Sequence, residues 1–318
     1  MSTPAVSVVI PTHGGRFTDA AIASVIDQTL GDWELLIVDD GSRDGTARLA
    51  AKRAAADARI RVVTHPRNRG IVAARNLGLS ASSPGSPYVA FLDHDDILIP
   101  SALEVLEAEL VARPHAVAAH GTAILVDADG RRSVSRPHVV PSRRMGVLEG
   151  RLAPWPPDRP TEFANLAVED CIVSVGSGLI RRAALERVGG FDPRAEPAED
   201  YDLWIRLSRA GPIAFVDRVV LALRLHAEQT SHRATPPHGQ GLGYVRYQLI
   251  ASPENTPEQR RVAITGFRAR QRQLLAERCP ALVATWRRRD YAAVTRLAVE
   301  VAASLAAFAR GRPWSWHR

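Results

Sequence analysis

Three carboxylates, Asp93, Asp95 and Asp96, fall within four positions of the chain. They come directly after the apolar residues 88–92, which predict a short buried strand. Carboxylates at the carboxyl end of such a strand lie where open α/β sheets bind their ligands. Because crowded carboxylates repel one another, Mg²⁺ or Mn²⁺ would stabilise the cluster, and such ions commonly accompany phosphates. The alternative is a loop whose carboxylates only accept hydrogen bonds from nearby backbone N–H groups.

A second acidic segment, residues 39–42, follows the predicted strand 33–38. Two acidic strand ends in one parallel sheet can face the same ligand. Asp39 could accept a hydrogen bond from a nucleotide base N–H or from a ribose hydroxyl. Asp, Gly and Ser are also good turn formers, so a purely structural turn is the alternative here.

Short β-rich segments alternate with segments of helical spacing along the first third of the chain. Predicted strands span 6–11, 33–38, 60–63 and 88–92, and predicted helices span 19–30, 47–58 and 71–79. Repeated strand–helix units with short connections favour right-handed crossovers. The predicted fold class is therefore α/β, with a mostly parallel sheet covered by helices on both faces.

Composition and charge place the chain among ordinary globular proteins, since its 318 residues are 46% hydrophobic and 24% charged. The formal charge of +7 is uneven: residues 259–318 hold thirteen arginines and three acidic residues, a net +10, which leaves −3 for residues 1–258. A basic tail favours anionic partners such as phospholipid headgroups or nucleic acid. Two cysteines far apart in sequence predict a reducing, cytoplasmic setting. We expect no signal peptide and no membrane span, because the apolar segments are too short.

Residues 6–12, 38–46, 68–78 and 91–96 together resemble the motifs of family-2 inverting glycosyltransferases with the GT-A fold. They read VSVVIPT, VDDGSRDGT, NRG followed by ARNLG, and FLDHDD. Each motif is weak alone, but four in the family's order and spacing make a specific resemblance. It covers residues 5–232 and implies a GT-A-type fold and a nucleotide-sugar donor.

The resemblance assigns five residues of the nucleotide-sugar half to donor binding. Pro11, Thr12 and Asp39 would line the pocket for the nucleotide base and ribose. Asp93 and Asp95 match the family's DxD element. Asp93 would lie toward the ribose, and Asp95 would hold a divalent ion against the donor diphosphate.

Three further positions complete the site that the resemblance implies. Arg75 would lie near the diphosphate or sugar, and the alternative is a solvated helix arginine. His226, which follows the predicted strand 219–225, would complete the metal site. Asp200, within the family-like segment 199–204, would be the general base. A structural reason for acidic residues there is the helix dipole, worth about 0.3–1 kcal/mol each.

These roles describe a single displacement at an anomeric carbon. The acceptor hydroxyl must lose its proton as it attacks from the face opposite the diphosphate, and a carboxylate within about 3 Å can take that proton. A metal can stabilise the departing phosphate charge. We therefore expect an inverting hexosyltransferase that uses a nucleotide-diphosphate sugar, with UDP as the expected nucleotide and Mg²⁺ or Mn²⁺ as the cofactor. The acceptor would be a saccharide or lipid-linked hydroxyl in cell-envelope polysaccharide, glycan or glycolipid synthesis.

We expect one GT-A domain over residues 1–235, with a nucleotide-sugar half (1–112) and an acceptor half (113–235). Residues 131–162 are rich in Arg and Pro and predict a long irregular segment, either an acceptor-side flap or a surface insertion. Residues 236–318 would form a basic helical extension that caps the domain, dimerises or touches the inner face of the cell membrane. No nucleic-acid partner is expected.

Two other functions fit parts of the sequence. An aspartyl-phosphate phosphohydrolase would use Asp93 as nucleophile and Asp95 as acid and base, although the Thr or Val of that mechanism's usual pattern and a downstream lysine are not found. A non-enzymatic nucleotide- or nucleic-acid-binding protein would hold phosphates with the basic tail, bind with a steep salt dependence and leave Asp200 without a role. Metal-dependent affinity for UDP distinguishes the glycosyltransferase from both.

Overall fold

The computed structural model describes residues 3–132, 144–156, 158–227, 229 and 237–287. Within these ranges the strands are β1 (Val6–Thr12), β2 (Trp33–Asp39), β3 (Ile60–Thr64), β4 (Tyr88–Phe91), β5 (Ile97–Leu98), β6 (Ala118–Val126), β7 (Met145–Leu148), β8 (Arg151–Pro154), β9 (Gly178–Arg181) and β10 (Ile213–Arg224). The helices are α1 (Thr18–Ile26), α2 (Thr46–Ala56), α3 (Ile71–Ala81), α4 (Ala102–Ala112), α5 (Phe163–Leu166), α6 (Arg182–Val188), α7 (Glu199–Ala210), α8 (Pro237–Ala251) and α9 (Pro257–Arg287).

The main sheet has the strand order β3-β2-β1-β4-β9-β6-β10-β5. The first four strands are parallel, and β6 and β10 form a second parallel pair. Strand β9 joins the two groups and is antiparallel to both of its neighbours, while the short β5 lies antiparallel on β10 at the edge. The prediction of a mostly parallel α/β sheet is confirmed.

Helices cover both faces of the sheet, which explains why β1 and β2 are buried at every position. Val8 and Ile10 of β1 pack in one core layer with apolar residues of α1 and α4. Val9 points to the opposite face and packs in a second layer with residues of α3 and α7. The continuous apolar strands of the sequence therefore reflect two-sided burial rather than an alternating, half-solvated sheet.

The prediction of an irregular segment over 131–162 is wrong for much of its described part. Strands β7 and β8 pair as an antiparallel hairpin, and Trp155 directly after it is buried. The Trp155 indole Nε1–H donates to the carbonyl of Pro160 at 2.9 Å. The Arg144 guanidinium donates to the Thr161 hydroxyl at 3.2 Å, which ties the two ends of this segment together. Residues 133–143 and 157 lie outside the described part.

The tail begins as two helices that pack on the domain. Ala263 and Phe267 of α9 are buried in the same core layer as α7. A Cβ on Gly266 would lie 2.5 Å from the Ala167 carbonyl, so α9 approaches the backbone after α5 closely. The apolar side of this part of α9 therefore faces protein. None of the helices in the described ranges has the length and apolar character needed to cross a membrane.

Candidate active site

The carboxyl ends of the parallel strands β1 and β2 bring the predicted nucleotide-pocket residues together. In the register of this pair, Pro11 lies opposite Val38 and Thr12 opposite Asp39. The Thr12 and Thr18 hydroxyl oxygens are 3.2 Å apart, and the Asp40 N–H donates to the Thr12 carbonyl at 2.7 Å. Pro11, Thr12 and Asp39 thus form one continuous wall at this edge of the sheet.

The turn after β2 is held by its own carboxylates. Asp39 Oδ1 accepts a hydrogen bond from the Ser42 N–H at 3.0 Å. Asp40 accepts from the N–H groups of Arg69 and Gly70, each with a 2.9 Å contact to Oδ2, and lies 2.7 Å from His65 Nδ1. The structural turn, which was the alternative interpretation, is therefore present. Asp40 makes most of its hydrogen bonds and fixes the loop before α3.

Arg75 is the centre of the site, and it is not a solvated helix arginine. Its side chain is only 4% exposed, and its two terminal nitrogens contact Asp93 Oδ1 and Glu199 Oε1, both at 2.6 Å. Burial works against the guanidinium charge, but the charges of Asp93, Glu199 and Asp200 outweigh it and raise the pKa of Arg75. This bridge joins the loop that carries Asp93 and Asp95 to the first turn of α7.

Two polar atoms of this bridge remain unsatisfied. Within the described ranges, Arg75 Nε and Glu199 Oε2 are buried and have no hydrogen-bond partner. Buried polar groups in folded proteins are almost always paired with protein, water or ligand. Arg75 and Glu199 therefore have hydrogen-bonding capacity left for a polar molecule bound in this corner.

The loop that carries Asp95 is fastened to the end of β10. His226 Nε2 lies 2.9 Å from Asp95 Oδ2. Asp96 is buried and accepts from the Arg224 N–H at 3.0 Å, while Arg224 Nε donates to the Asp95 carbonyl at 2.9 Å. Burial, followed by the charges of Asp95 and Asp93, raises the pKa of Asp96. Asp96 thus fits the structural alternative, whereas Asp93 and Asp95 meet charged or titratable side chains.

Asp200 is the second residue of α7 and lies next to the bridge. It is half-buried, and its Oδ1 accepts only the neighbouring Tyr201 N–H among the hydrogen bonds described, at 2.8 Å. The surrounding protein and then the charge of Glu199 raise the pKa of Asp200 to about 6, although Arg75 acts to lower it. Because the charge of Asp93 also acts on this carboxyl, the two predicted ends of the site lie near each other, and the region between them is the candidate cleft. Asp200 is therefore a mostly ionised carboxylate at neutral pH with capacity to take a proton.

Sequence reasoning missed two acidic residues of this cleft. Glu199 was noted only for its place in a helix first turn, yet it anchors Arg75. Asp170 accepts from the Ile172 N–H at 3.2 Å and remains open to solvent. The protein around it and the charge of Asp200 raise the pKa of Asp170. The doublet Glu199-Asp200 was a usable signal, whereas no motif marked Asp170.

Comparison with known proteins identifies the family of this chain. The sequence model described as "Glycosyl transferase family 2" matches residues 7–189, more than half of the chain. The protein belongs to glycosyltransferase family 2, as its motifs predicted.

Several characterised and uncharacterised bacterial proteins are similar over most of this chain. A chondroitin synthase of Pasteurella multocida is 26% identical over 229 residues, which cover 72% of this chain and 21% of that protein. The O-antigen biosynthesis protein RfbC of Myxococcus xanthus is 30% identical over 212 residues, which cover 65% of this chain and 15% of that protein. An uncharacterised glycosyltransferase of Haemophilus influenzae is 26% identical over 234 residues, with 72% and 68% covered. The aligned part spans about a fifth to a third of the first relatives.

Solved structures of S. aureus TarS share the fold. The structure of its residues 1–349 in complex with UDP-GlcNAc has a TM-score of 0.59 and 13% sequence identity, and it covers 98% of this chain and 93% of that one. At this level of identity the likeness shows the architecture alone. The prediction of a GT-A-type fold is confirmed.

Proposed function

We propose that the protein moves a sugar from a UDP-sugar to an acceptor hydroxyl with inversion at the anomeric carbon. The observation that carries the proposal is the Arg75 bridge, which joins Asp93 to Glu199 through two contacts of 2.6 Å. A donor at Asp93 and an acceptor at Asp200 would then meet across a single cleft. The alternative phosphohydrolase mechanism would use Asp93 as a nucleophile, but its carboxylate is engaged by Arg75.

The chemistry follows from the roles of these side chains. Asp200 would take the proton of the acceptor hydroxyl as that oxygen attacks the sugar. Arg75 would hold the donor by its remaining hydrogen-bonding capacity and by its charge, which favours a diphosphate. Because proton removal and departure of the diphosphate occur on opposite sides of the anomeric carbon, the product would have inverted configuration.

The expected donor is UDP-linked. Pro11, Thr12 and Asp39 are the residues we assign to the base and ribose. Two TarS structures of the same fold were solved with UDP and with UDP-GlcNAc, which supports a uridine nucleotide in this architecture.

Mg²⁺ or Mn²⁺ is the ion we propose for the donor site. Asp95 supplies a hard carboxylate oxygen, and His226 Nε2 is 2.9 Å from it. The described part of the chain contains no group of three or more His, Cys, Asp or Glu side chains that could hold a metal. Asp95 and His226 would hold the ion from the protein side, and the donor diphosphate and water would have to supply its other ligands. When bound, such an ion offsets charge on the departing diphosphate.

The acceptor we propose is a hydroxyl of a cell-envelope saccharide or glycolipid. Relatives named as a chondroitin synthase and an O-antigen biosynthesis protein support a polysaccharide context. A lipid-linked acceptor would place the enzyme on the inner face of the cell membrane, with residues 288–318 as the contact. That segment lies outside the described residues, so the membrane contact remains a prediction.

The raised pKa of Asp200 predicts the pH dependence of the reaction. A base must be ionised, and an acid with its pKa raised to about 6 is protonated below that pH. We therefore expect kcat/KM to rise with pH through about 6 and to level off above it. Initial rates at saturating donor and subsaturating acceptor across this range measure kcat/KM for the acceptor. If the same limb persists in Asp200→Asn, the titration belongs to another group.

A panel of nucleotide sugars, each assayed with Mn²⁺, Mg²⁺ or a chelator, tests the donor and the metal together. We expect nucleotide release from a UDP-sugar, lost on chelation. Asp95→Asn should lower metal-supported release by at least about tenfold, the lower end expected for disturbed metal sites. The matched variant Asp217→Asn, which changes an exposed carboxylate in the middle of β10, should match the unmodified protein.

Two outcomes of this panel, and one of a separate assay with a phosphate ester, would count against the proposal. Equal release with chelator and metal would remove the ion from the reaction. Release from another nucleotide sugar alone would contradict the UDP assignment. Turnover of a phosphate ester through Asp93, with no sugar donor used, would favour the phosphohydrolase.

A further inference from the structure

A basic groove lies away from the catalytic cleft, between the β7–β8 hairpin and one face of α9. It encloses about 640 Å³. The hairpin contributes its turn at residues 150–152. The other lining residues come from one face of α9, since they recur at intervals of three and one positions. They are Thr265, Arg268, Ala269, Arg272, Gln273 and Ala276.

Three arginines give this groove its charge. Arg151 from the hairpin and Arg268 and Arg272 from α9 line it, and all three side chains are exposed. Guanidinium groups bind carboxylates and phosphates with paired hydrogen bonds, and charges of one sign around a concavity reinforce one another. The chemistry of the groove therefore selects an anion.

Helix α9 connects the groove with the acceptor side of the catalytic cleft. On a neighbouring face of the helix, Arg270 lies 3.9 Å from Glu169. Glu169 directly precedes Asp170, whose carboxyl interacts with Asp200. Since a helix with its side chains is only about 10–12 Å across, the groove and the Asp170 segment are separated by the width of one helix.

We propose that this groove is a subsite for an anionic acceptor chain that carries carboxylates or phosphates along its length. Its concavity favours a flexible chain over a bilayer, because the three arginines converge on one cavity instead of projecting from a convex surface. The role of the bound chain as an acceptor rests on the glycosyl transfer proposed above. Binding itself depends only on the groove.

The test compares two charge-reversed pairs in the full chain. Arg268→Glu with Arg272→Glu changes the groove, and Arg260→Glu with Arg261→Glu makes the same charge change at exposed positions of the same helix outside it. The probe is a fluorescent oligogalacturonide, a sugar chain with one carboxylate per residue, with a neutral dextran oligosaccharide as reference. We expect the groove pair to weaken oligogalacturonide binding by roughly tenfold or more. Screening should hold the control pair within about twofold at physiological salt.

Arg268→Lys with Arg272→Lys retains the charge and shows whether loss of binding comes from charge or from misfolding. We expect this pair to bind more weakly than the unmodified protein but clearly more tightly than the glutamate pair, because lysine keeps the charge and loses the paired hydrogen bonds. Equal losses in the groove and control pairs, or no loss in either, would overturn the proposal. So would binding to phosphatidylglycerol vesicles that depends on the groove pair while oligogalacturonide binding does not, since that result would assign the arginines to a membrane.

The two proposals can fail separately. Release of nucleotide from the donor without acceptor should be the same in the unmodified protein and the groove variant, because Arg268 and Arg272 lie outside the catalytic cleft. Absence of transfer by the unmodified protein would contradict the proposed function. Loss of the difference between groove and control pairs would contradict the groove.

Discussion

Replacing Asp200 with asparagine is expected to lower turnover by about 10²–10⁴-fold, the contribution typical of a general base. The amide can keep the 2.8 Å hydrogen bond from the Tyr201 N–H, but it cannot take the acceptor proton. The affinity for UDP should change by less than about twofold, because an interaction made only in the transition state does not contribute to nucleotide binding. Nucleotide release gives kcat, and titration calorimetry gives the Kd for UDP.

A matched change at Asp217 serves as the control for this variant. Asp217 is exposed on β10, so Asp217→Asn alters the same chemical group without touching the cleft. Its kcat and Kd should equal those of the unmodified protein. Unchanged turnover in Asp200→Asn would remove this residue from the mechanism.

The largest loss of stability is expected at Arg75. Arg75→Met leaves Asp93 and Glu199 without their shared cation, and Glu199 is itself 9% exposed. Removing one partner of a buried ion pair costs about 3–5 kcal/mol, because the remaining charge is then desolvated and unpaired. We expect the free energy of unfolding at neutral pH, measured with urea, to fall by that amount. Arg75→Lys should lower the free energy of unfolding by a smaller but measurable amount. One ammonium group cannot replace a planar guanidinium that spans two carboxylates.

Arg53 offers a control with the same chemistry and a different environment. Its guanidinium lies 2.6 Å from Asp19, but these side chains are 33% and 50% exposed. Exposed pairs contribute about 0–1 kcal/mol, so Arg53→Met should cost much less than Arg75→Met. If the two variants lose the same free energy of unfolding, the Arg75 bridge does not hold the loop with Asp93 and Asp95 against α7.

Local sequence patterns were sufficient to predict where the strands end. The carboxyl ends of parallel neighbours meet at one edge, and the register that pairs Thr12 with Asp39 follows from that rule. The binding roles assigned to these residues remain predictions. The fold followed in the same way, because the apolar runs of β1, β2 and β4 are strands buried at every position.

Contacts between distant segments could not be predicted from spacing. Arg75 and Glu199 are 124 positions apart, and helical periodicity alone gave Arg75 an equal chance of facing solvent. The sequence groups Asp96 with the carboxylates predicted to bind a cation. Its side chain is instead buried and accepts a hydrogen bond from the Arg224 N–H, 128 positions away. The β7–β8 hairpin was missed because its Arg and Pro residues are typical of loops, whereas the packing around Trp155 decides the structure.

The configuration of the transferred sugar tests the central claim most directly. ¹H NMR of the first product formed from a UDP-α-sugar reads the anomeric coupling before any later exchange. If the donor lies at Asp93 and Asp95 and the activated hydroxyl at Asp200 on the opposite side, the product is the β-glycoside. An α-glycoside would contradict a single displacement and the placement of Asp200 opposite the diphosphate.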